Sequence, residues 1–581
     1  MRLFDIPRNG IITVRNAIRS LRRKGLDVVV VRLEGSFPER ASRRPSLPFP
    51  LSVLPVLPSE VSLEELQRAM DIIGGDKRVR GVVFRIQGIQ AGSATLHSLR
   101  RMMVELRERG KRTLAWLPSA DTWDYYLASG CEEIVIPPAG RLNVLGLHSE
   151  ALFFEDTLAL AGIQADLESI GEYKVTPDMF RRTSMTDAHR EMLEAILDSA
   201  FDQLTAAVAE ERGMTEDRVR ELIDEMPMTP DRAQQVGLID ATLYEDELAA
   251  HFETQMNGSN ASDAETEVSK EKRLSLVTWK DAARWLQRPV TWTTRKRIGV
   301  ISLEGMIVPG KSRRMPAPVP LPVEAQAGSE SLAAALRRAE ADPRIAALIF
   351  YVNSPGGSSL ASDLIWRQVY RVRERKPVVV LMGEQAASGG YYVSAPADRI
   401  VARPTTMTGS IGIWAGKFVV RELYNKLEVG HQEVQRGARA DLYSEFKTFD
   451  EEERKQVREE MCATYTRFKR LVAEGRGMTE DEVEEIARGR VWTGEQAANV
   501  GLVDELGDFE TALRAAKELA DLDPEKEYSV VEITPPREEV LPLPFPADGD
   551  SGRADLLQTL NKLAREHVWA MAPWTVRVRG R

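Results

Sequence analysis

A serine flanked by small residues is the first position in this sequence that could carry out chemistry. Ser388 lies at the centre of QAASGGYY (385–392), after the strand-like apolar run Pro377–Met382. The next residues, Tyr391–Ala397, are typical of the first turns of a helix. A serine at such a turn presents its hydroxyl beside a helix N-terminus, where partial positive charge favours an anion. The same letters also fit a glycine-rich turn that only connects two elements, so other residues must decide.

The elements that position this serine occur twice in the chain. The tyrosine pair at 125–126 matches the pair at 391–392, and RGMTED at Arg212 recurs at Arg476. In each half, apolar runs rich in Val and Ile, such as Val28–Leu33, alternate with helical patterns. This alternation is typical of βαβ units with a parallel sheet buried on both faces. We therefore predict an α/β protein made of two tandem repeats, with mostly parallel sheets and added helices.

The repeats and a change of composition between them predict the domain boundaries. We expect a first repeat at 1–250 and a second at 297–535. The residues between them, 251–296, include a polar, acidic stretch that is typical of a linker. The remaining residues, 536–581, are expected to form an irregular C-terminal tail.

The two copies differ where chemistry is expected. Thr122 stands at the position that matches Ser388, and it lies within TWD instead of SGG. The loop Asn353–Ser359 reads NSPGGSS, whereas the first copy has QGIQAGS. Glycines allow a backbone to approach a ligand closely. The second copy therefore combines a serine with an oxyanion hole, whose expected donors are the backbone N–H groups of Gly357 and Gly389.

A serine hydroxyl is hardly ionised at neutral pH, so it needs a base. His431 is the only histidine near the expected region of the second copy, and no Asp–His arrangement accompanies it. Matching GEYKVTPDMF (171–180) with GARADLYSEF (437–446) puts Lys174 opposite an alanine. One copy keeps a serine and the other a lysine, which suggests a composite site with Lys174 as general base. Most lysines are solvated surface residues, and on spacing alone that remains the commoner case.

Four motifs together resemble the signal peptide peptidases of serine peptidase family S49. They are VNSPGGSS, AASGGYYVSAPAD, TGSIG and GEYK, and the long, duplicated form of the family matches from about Val28 to Glu510. The resemblance implies a Ser/Lys dyad on a crotonase-like, ClpP-like fold. By motif matching, Ser388 is the nucleophile, Lys174 is the base, and Ser410 in TGSIG orients the lysine.

The resemblance also implies substrates and partners. Family members hydrolyse peptides such as cleaved signal peptides through an acyl-enzyme, and they use no metal and no nucleotide. They assemble into ring- or dome-like oligomers, so we expect a homo-oligomer, with a tetramer as the suspected form.

Composition limits the other classes of function. The net charge of −10 and the pI near 5.5 argue against a general nucleic-acid binder. The two cysteines, Cys131 and Cys462, lie far apart, which excludes a disulfide scaffold and argues against a zinc site. A crotonase-type acyl-CoA enzyme stays open as an alternative because it shares the sheet and the oxyanion hole, but it usually relies on carboxylates. A non-catalytic scaffold would have no reason to retain both the serine and the lysine.

Location is expected to be membrane-associated or cytoplasmic, because we recognise neither a secretory signal nor an apolar stretch of the roughly 20 residues that a spanning helix needs. Residues Ile11–Lys24 resemble a short basic amphipathic helix. Such a helix can rest on an anionic membrane, although we prefer a helix that packs its apolar side on its own domain. The Pro-rich loops from Ser42 and Ser312 are expected either to pack on their domains or to form an apolar lip for peptide or lipid.

Overall fold

Runs of β-branched residues form the central strands of both repeats. The computed structural model describes residues 5–21, 25–40, 61–257, 274, 276–290, 294–314, 325–524, 526–534, 539–540 and 568–571. Both expected Pro-rich loops fall largely outside these residues, as does the stretch 258–273 of the expected linker.

The described helices are numbered in chain order, and a short 3₁₀ helix at Glu245–Glu247 precedes the tenth. They are α1 (Asp5–Ser20), α2 (Leu63–Gly75), α3 (Ser93–Glu108), α4 (Thr122–Ala128), α5 (Glu155–Ala161), α6 (Asp178–Arg181), α7 (Asp187–Arg212), α8 (Glu216–Asp224), α9 (Pro230–Gln235), α10 (Leu248–Asn257), α11 (Trp279–Ala282), α12 (Ser329–Ala341), α13 (Ser359–Arg373), α14 (Gly389–Ser394), α15 (Arg421–Lys426), α16 (Glu451–Arg476), α17 (Glu480–Ile486), α18 (Gly494–Asn499) and α19 (Phe509–Leu519).

The described strands are numbered in the same way. They are β1 (Val28–Gly35), β2 (Gly81–Ile89), β3 (Arg112–Trp116), β4 (Ser119–Asp121), β5 (Glu133–Ile136), β6 (Arg141–Asn143), β7 (Gln164–Ile170), β8 (Ala241–Thr242), β9 (Leu276–Thr278), β10 (Arg297–Glu304), β11 (Met306–Val308), β12 (Arg313–Arg314), β13 (Ala325–Gly328), β14 (Ile345–Ser354), β15 (Gly356–Ser358), β16 (Val378–Ala387), β17 (Arg399–Ala402), β18 (Met407–Gly409), β19 (Ile413–Val419), β20 (Val491–Thr493), β21 (Glu505–Leu506), β22 (Ser529–Glu532), β23 (Glu539–Val540) and β24 (Val568–Met571).

The chain divides into two units, each with its own core. Of the described residues, the first contains those up to His148 together with Phe201–Thr293, and the second contains Ser149–Ala200 together with those from Thr294 to Met571. The lysine-bearing stretch of the first repeat therefore belongs to the same unit as the second repeat.

The first unit has a six-stranded sheet in the order β8-β5-β3-β2-β1-β9, and all neighbours in it are parallel. Alternate residues of β1 contribute to different cores. Val29, Val31 and Leu33 pack in one apolar cluster, and Val28 packs in another. A sheet buried on both faces explains why this strand reads as a continuous apolar run.

The second unit has a sheet in the order β20-β18-β16-β14-β10-β22, extended from β16 by β17 and β21. Its neighbours are parallel except for β18 and β20. Helices α12 and α13 pack together on one side, and α19 contacts β14 and β16. The predicted fold class, α/β with two tandem repeats and mostly parallel sheets, is confirmed.

A mixed sheet in the second unit receives the segment Ser149–Ala200. Its order is β23-β12-β13-β11-β15-β24-β19-β7, and β7 pairs antiparallel with β19 over seven residues of each strand. Asp166 on β7 is buried, and its carboxylate accepts hydrogen bonds from the Phe449 N–H at 2.6 Å and the Arg454 guanidinium at 2.8 Å. These buried charge-assisted hydrogen bonds fix the strand that leads to Lys174.

Helix α1 differs from expectation. The apolar side chains of Ile11, Val14 and Ile18 are 54–60 % exposed, whereas Asn9 is buried. The polar face instead contacts the domain, because the Asn16 side chain hydrogen-bonds both the carbonyl and the N–H of Arg288. The expectation that the apolar side packs on the domain is therefore wrong. Among the described residues, no helix has both the length and the apolar character to cross a membrane.

Candidate active site

Ser388 lies where β16 passes into α14, in a strained backbone conformation. Its φ is 55° and its ψ is −111°, a backbone conformation that residues other than glycine rarely adopt. The Ser388 N–H donates to the Gly409 carbonyl at 2.7 Å, and the Ser388 carbonyl accepts from the Tyr392 N–H at 2.8 Å. These bonds and complete burial hold the serine at the helix N-terminus. Such strain is common at functional sites, where the surrounding structure maintains it.

Ser410 lies at the same edge of the sheet because two parallel strands end together. The last residues of the two strands, Ala387 on β16 and Gly409 on β18, pair with each other. Ser388 and Ser410 directly follow them. Ser410 also has a positive φ, 51°, and its N–H donates to the Arg490 carbonyl at 2.6 Å. The TGSIG motif therefore delivers its serine beside the strand-to-helix turn.

Lys174 reaches both serines from the segment that follows β7. Its Nζ lies 2.7 Å from the Ser388 Oγ and 3.0 Å from the Ser410 Oγ. It also lies 3.1 Å from the Ser410 carbonyl oxygen. The side chain is only 1 % exposed. The alternative of a solvated surface lysine is therefore wrong.

Burial controls the charge of this amine. Desolvation by burial lowers the pKa of Lys174 well below its ordinary value. A neutral amine has two hydrogens and one lone pair. It can donate to the two oxygens of Ser410 and accept the hydroxyl hydrogen of Ser388. The three contacts therefore fit an amine that is ready to take a proton from the serine.

A close backbone approach positions Lys174. The Tyr173 N–H donates to the Arg488 carbonyl at 2.9 Å, and the next residue, Gly489, has a φ of 82°. A Cβ on Gly489 would lie 2.5 Å from the Lys174 nitrogen and 2.6 Å from the Lys174 Cβ. Only glycine fits here without a shift of the lysine. Gly489 lies in the turn that follows α17, and the sequence analysis did not identify its role.

Side chains close around the same segment. The Arg490 guanidinium pairs with the Glu191 carboxylate at 2.6 Å and lies 4.9 Å from the centroid of the Tyr173 ring. The Tyr173 hydroxyl donates to Glu191 at 3.1 Å. These contacts join the residue before Lys174 to the turn that contains Gly489, and sequence patterns alone did not indicate them.

The two expected oxyanion donors lie near the serine. Gly389 is the first residue of α14, and the first N–H groups of a helix have no partner within it. Gly357 lies on β15, which contacts α14. A Cβ on Gly357 would lie 2.0 Å from the Ile307 carbonyl oxygen, so this strand position also requires glycine. All five residues expected at the site therefore lie in the second unit.

The matching position of the first repeat is built differently. The Thr122 hydroxyl is buried and donates to the Gly146 carbonyl at 3.0 Å, and the Asp121 carboxylate caps α4. His431, the histidine that the sequence analysis considered as a base, instead stacks on Phe446 with ring centroids 3.6 Å apart. Among the residues that the structure describes, no group of three or more His, Cys, Asp or Glu side chains could hold a metal ion.

The approach of Gly489 to Lys174 predicts that Gly489→Ala displaces the amine. We expect labelling of Ser388 by a fluorophosphonate to slow at least about tenfold, since misplacement by about 1 Å can cost far more than that. Gly477→Ala is the matched control, because Gly477 also has a positive φ, 66°, but a Cβ there meets nothing within 4 Å. Both variants carry backbone strain of about 1–2 kcal/mol. Equal labelling rates in the two variants would contradict this role of Gly489.

Comparison with known proteins identifies the family. The sequence model of peptidase family S49 matches residues 105–258 and 371–523, once in each repeat. The chain is 30 % identical to the chloroplastic serine protease SPPA of Arabidopsis thaliana over 480 residues, which cover 82 % of this chain and 68 % of that protein. It is 27 % identical to protease 4 of Haemophilus influenzae over 80 % of this chain and 74 % of that protein.

A third relative is similar over about the same share of the chain, and one solved structure is weakly similar in fold. The chain is 29 % identical to protease 4 of Salmonella typhi over 80 % of this chain and 73 % of that protein. A ClpP1 mutant from Listeria monocytogenes aligns with 37 % of this chain and 94 % of its own at a TM-score of 0.24 and 17 % identity. Two family matches, one in each half, and relatives that span most of the chain lead to one conclusion: the chain belongs to peptidase family S49 and is a serine protease.

Proposed function

We propose that the protein is an endopeptidase in which Ser388 is the nucleophile and Lys174 is the general base. The observation that carries the proposal is the 2.7 Å contact between the Lys174 Nζ and the Ser388 Oγ, made by a fully buried amine. A nucleophile within hydrogen-bond reach of a base, which is oriented in turn by a third group, is the arrangement that covalent catalysis requires. Ser410 is that third group.

The mechanism follows from the charges. Neutral Lys174 takes the hydroxyl proton of Ser388 while the Ser388 Oγ attacks the peptide carbonyl carbon. The backbone N–H groups of Gly357 and Gly389 stabilise the oxyanion that develops. The ammonium of Lys174 then gives its proton to the leaving amine, and an acyl-enzyme remains. Water, deprotonated by the same lysine, hydrolyses the ester and restores the serine.

Ser410 acts through the lysine. Its hydroxyl and carbonyl oxygens accept the two hydrogens of the neutral amine, at 3.0 and 3.1 Å, and this directs the lone pair of the amine at the Ser388 hydroxyl. It is therefore a positioning residue. The strained φ of 51° lets one residue present both oxygens to the same nitrogen.

The proposed substrates are extended apolar peptides, such as the remnants of cleaved signal peptides. Glycines at 356, 357, 389 and 390 surround the serine, so a peptide backbone meets few side-chain atoms there. The resemblance to signal peptide peptidases supports the same class of substrate.

Replacing either member of the dyad tests the mechanism. Ser388→Ala and Lys174→Met should each lower kcat for a fluorogenic apolar peptide at least about a thousandfold, in line with triad deletions in serine peptidases. Methionine fills the space of the lysine without a proton acceptor, and circular dichroism checks the fold. Lys376→Met is the matched control, since this partly buried lysine donates to the carbonyls of Ala339 and Asp342 and is not among the residues of the candidate site. Near-normal hydrolysis by Lys174→Met would refute the dyad.

The lowered pKa of Lys174 also predicts the pH dependence. The base must be neutral, so kcat/KM should rise with pH through the pKa of Lys174 in the folded protein and level off above it. Burial lowers this pKa well below 10.5, so kcat/KM should reach its upper limit below pH 10.5. Lys376→Met should leave the profile unchanged. A rate that is flat from pH 6 to 10 in a protein that stays folded would count against a lysine base.

We also propose peripheral contact with an anionic membrane through α1. The helix is anchored by its polar face, as described above, and the Arg19 side chain donates to the Arg284 carbonyl. Its apolar side chains Ile11, Val14 and Ile18 are exposed, and arginines at 8 and 15 lie along one flank. Exposed apolar residues beside basic ones favour the interface of an anionic bilayer.

Vesicle sedimentation tests the membrane proposal. We expect binding to vesicles containing phosphatidylglycerol, weaker binding at high salt, and a loss of at least about tenfold in the double variant Ile11→Asp with Ile18→Asp. Thr13→Asp is the control, because it adds a negative charge to the same helix outside the apolar stripe. Equal binding by the double variant and this control would contradict an apolar contact.

A homo-oligomer is proposed from the repeat. Strand β7 of the first repeat pairs with β19 of the second. The two repeats are offset by 266 residues, as the tyrosine pairs show, so residues 430–436 of the second repeat correspond to β7 and residues 147–153 of the first correspond to β19. Val434 is 87 % exposed and Leu152 is 67 % exposed. Pairing of these two segments between copies would be a head-to-tail contact, which can close into a ring.

The mass of the particle tests self-association. Light scattering after gel filtration should give a multiple of 65.0 kDa for the native chain, with a tetramer as the suspected form. Val434→Asp should shift the protein to species of lower mass, whereas Leu506→Asp, a change at another exposed apolar residue, should leave the mass unchanged. An unchanged mass for Val434→Asp would place the interface elsewhere.

A further inference from the structure

A hydrogen-bonded pair of side chains joins helix α14, which begins with Gly389, to helix α13, which follows Gly357. The Tyr392 hydroxyl on α14 donates to the Asp363 carboxylate on α13 at 2.7 Å. The Arg467 guanidinium on α16 pairs with the same carboxylate at 2.7 Å. Hydrogen bonds from a hydroxyl to a carboxylate are short and roughly twice as strong as those between neutral groups. The pair is therefore a firm link between the two helices.

Helix α14 carries the first of the two proposed oxyanion donors. Gly389 is its first residue, and Tyr392 lies about one turn further along the helix. The Tyr392 side chain is buried, and this desolvation raises its pKa. The hydroxyl therefore stays protonated at neutral pH and can donate to Asp363.

Helix α13 is fixed to the strand that carries the second donor. Gly357 lies on β15, and α13 begins two residues later, at Ser359. The Ser358 Oγ caps the helix by accepting from the Ala361 N–H at 3.1 Å, and the Ser362 Oγ donates to the Ser358 carbonyl at 2.8 Å. A shift of α13 would therefore move Gly357 as well.

The backbones of the two elements also approach each other closely. A Cβ on Gly390 would lie 2.8 Å from the Ser354 carbonyl oxygen, so α14 packs directly on the end of β14. The Ser354 Oγ accepts from the Gly356 N–H at 3.1 Å and so fixes the turn that leads to Gly357. The hydrogen bond between Tyr392 and Asp363 adds a directional attachment between α14 and the helix that follows this turn.

The first repeat has a different group at the matched position. At the 266-residue offset, Tyr126 corresponds to Tyr392 and His97 corresponds to Asp363. The Tyr126 hydroxyl lies 3.1 Å from the His97 Nδ1. The carboxylate therefore occurs in the repeat that has the serine, and an imidazole occurs in the repeat that has Thr122 at the matching position.

From these observations we infer that Tyr392 and Asp363 are positioning residues, whose hydrogen bond holds the backbone N–H groups of Gly357 and Gly389 at the spacing that the oxyanion requires. The inference rests on the proposed mechanism and adds the residues that maintain its oxyanion hole. Such donors are placed for the oxygen of the tetrahedral intermediate, so they stabilise the transition state more than the bound substrate. Loss of the link should therefore lower kcat and leave KM nearly unchanged.

Removal of the hydroxyl tests the inference. Tyr392→Phe should lower kcat for a fluorogenic apolar peptide about tenfold, less than the roughly hundredfold loss of a whole donor, with KM within about twofold of native. Asp363→Leu should act alike, and the double variant should lose no more than Asp363→Leu alone, because both changes remove one hydrogen bond. Asp363→Asn keeps an acceptor oxygen and should stay within about threefold of the native kcat.

Tyr126→Phe is the matched control, because it removes the corresponding hydroxyl of the first repeat and should leave kcat unchanged. Each kcat is expressed per serine labelled by a fluorophosphonate at completion, so that an unfolded fraction does not count. An equal fall of kcat in Tyr126→Phe and Tyr392→Phe would overturn the inference.

A peptide aldehyde measures the oxyanion hole directly. Its carbonyl carbon bonds reversibly to the Ser388 Oγ, the hydroxyl proton passes to Lys174, and the former carbonyl oxygen becomes the oxyanion. Tyr392→Phe should weaken inhibition by this aldehyde about tenfold, in parallel with kcat. The corresponding peptide alcohol cannot add to the serine and should bind the native chain and the variant equally. Equal weakening of both inhibitors, or a kcat in Tyr392→Phe within twofold of native, would overturn the inference.

The pH profile separates this link from an effect on the base. Lys174 hydrogen-bonds Ser388 and Ser410 and not the Tyr392–Asp363 pair, so the rise of kcat/KM with pH should keep its midpoint in Tyr392→Phe. A shifted midpoint would mean that the change acts through the lysine and would overturn the inference. Absence of peptide hydrolysis in the native chain would instead refute the proposed function.

Discussion

A buried amine without a counter-charge is the interaction on which the site depends. Lys174 is buried, and within the described part of the chain its Nζ hydrogen-bonds neutral oxygens, those of Ser388 and Ser410. A carboxylate at this position would stabilise the ammonium and raise its pKa. Instead of a carboxylate, hydroxyl and carbonyl groups surround the amine, and these groups can accept hydrogen bonds from a neutral amine. The chemistry of the serine therefore follows from the exclusion of water and of charge.

Much of the second unit serves this exclusion. Strand β7 brings the lysine segment into the unit, and the Asp166 carboxylate fixes that strand through its bonds to Phe449 and Arg454. Gly489 lets the lysine backbone approach closely, while Arg490 and Tyr173 cover the turn. Each contact joins a residue of the first repeat to residues of the second within one compact unit. In the proposed mechanism, one repeat supplies the base and the other supplies the nucleophile.

The same sheet explains how the site is presented to a peptide. Strand β15 lies beside the start of α14, so the edge that carries Gly357 is also an edge that an extended chain can pair with. Strand β24 pairs antiparallel with this edge of β15. Exposed apolar residues on α1 form a separate surface in the first unit. The residues of the candidate active site and this apolar surface therefore belong to different units.

The sequence by itself determined the fold class, the repeat and the family, because apolar periodicity and duplicated motifs are local properties that survive in the order of residues. It also indicated Ser388 and Lys174, since complementary differences between two copies can be read without coordinates, whereas Ser410 was implied by the resemblance of TGSIG to a family motif. Tertiary structure decided what depends on distance and solvent: the burial that lowers the pKa of Lys174, the contact that requires Gly489 to be glycine, and the outward apolar face of α1. Strand pairing of the terminus was equally beyond the sequence, because four residues can pair with any free edge and only the fold determines which edge lies within reach.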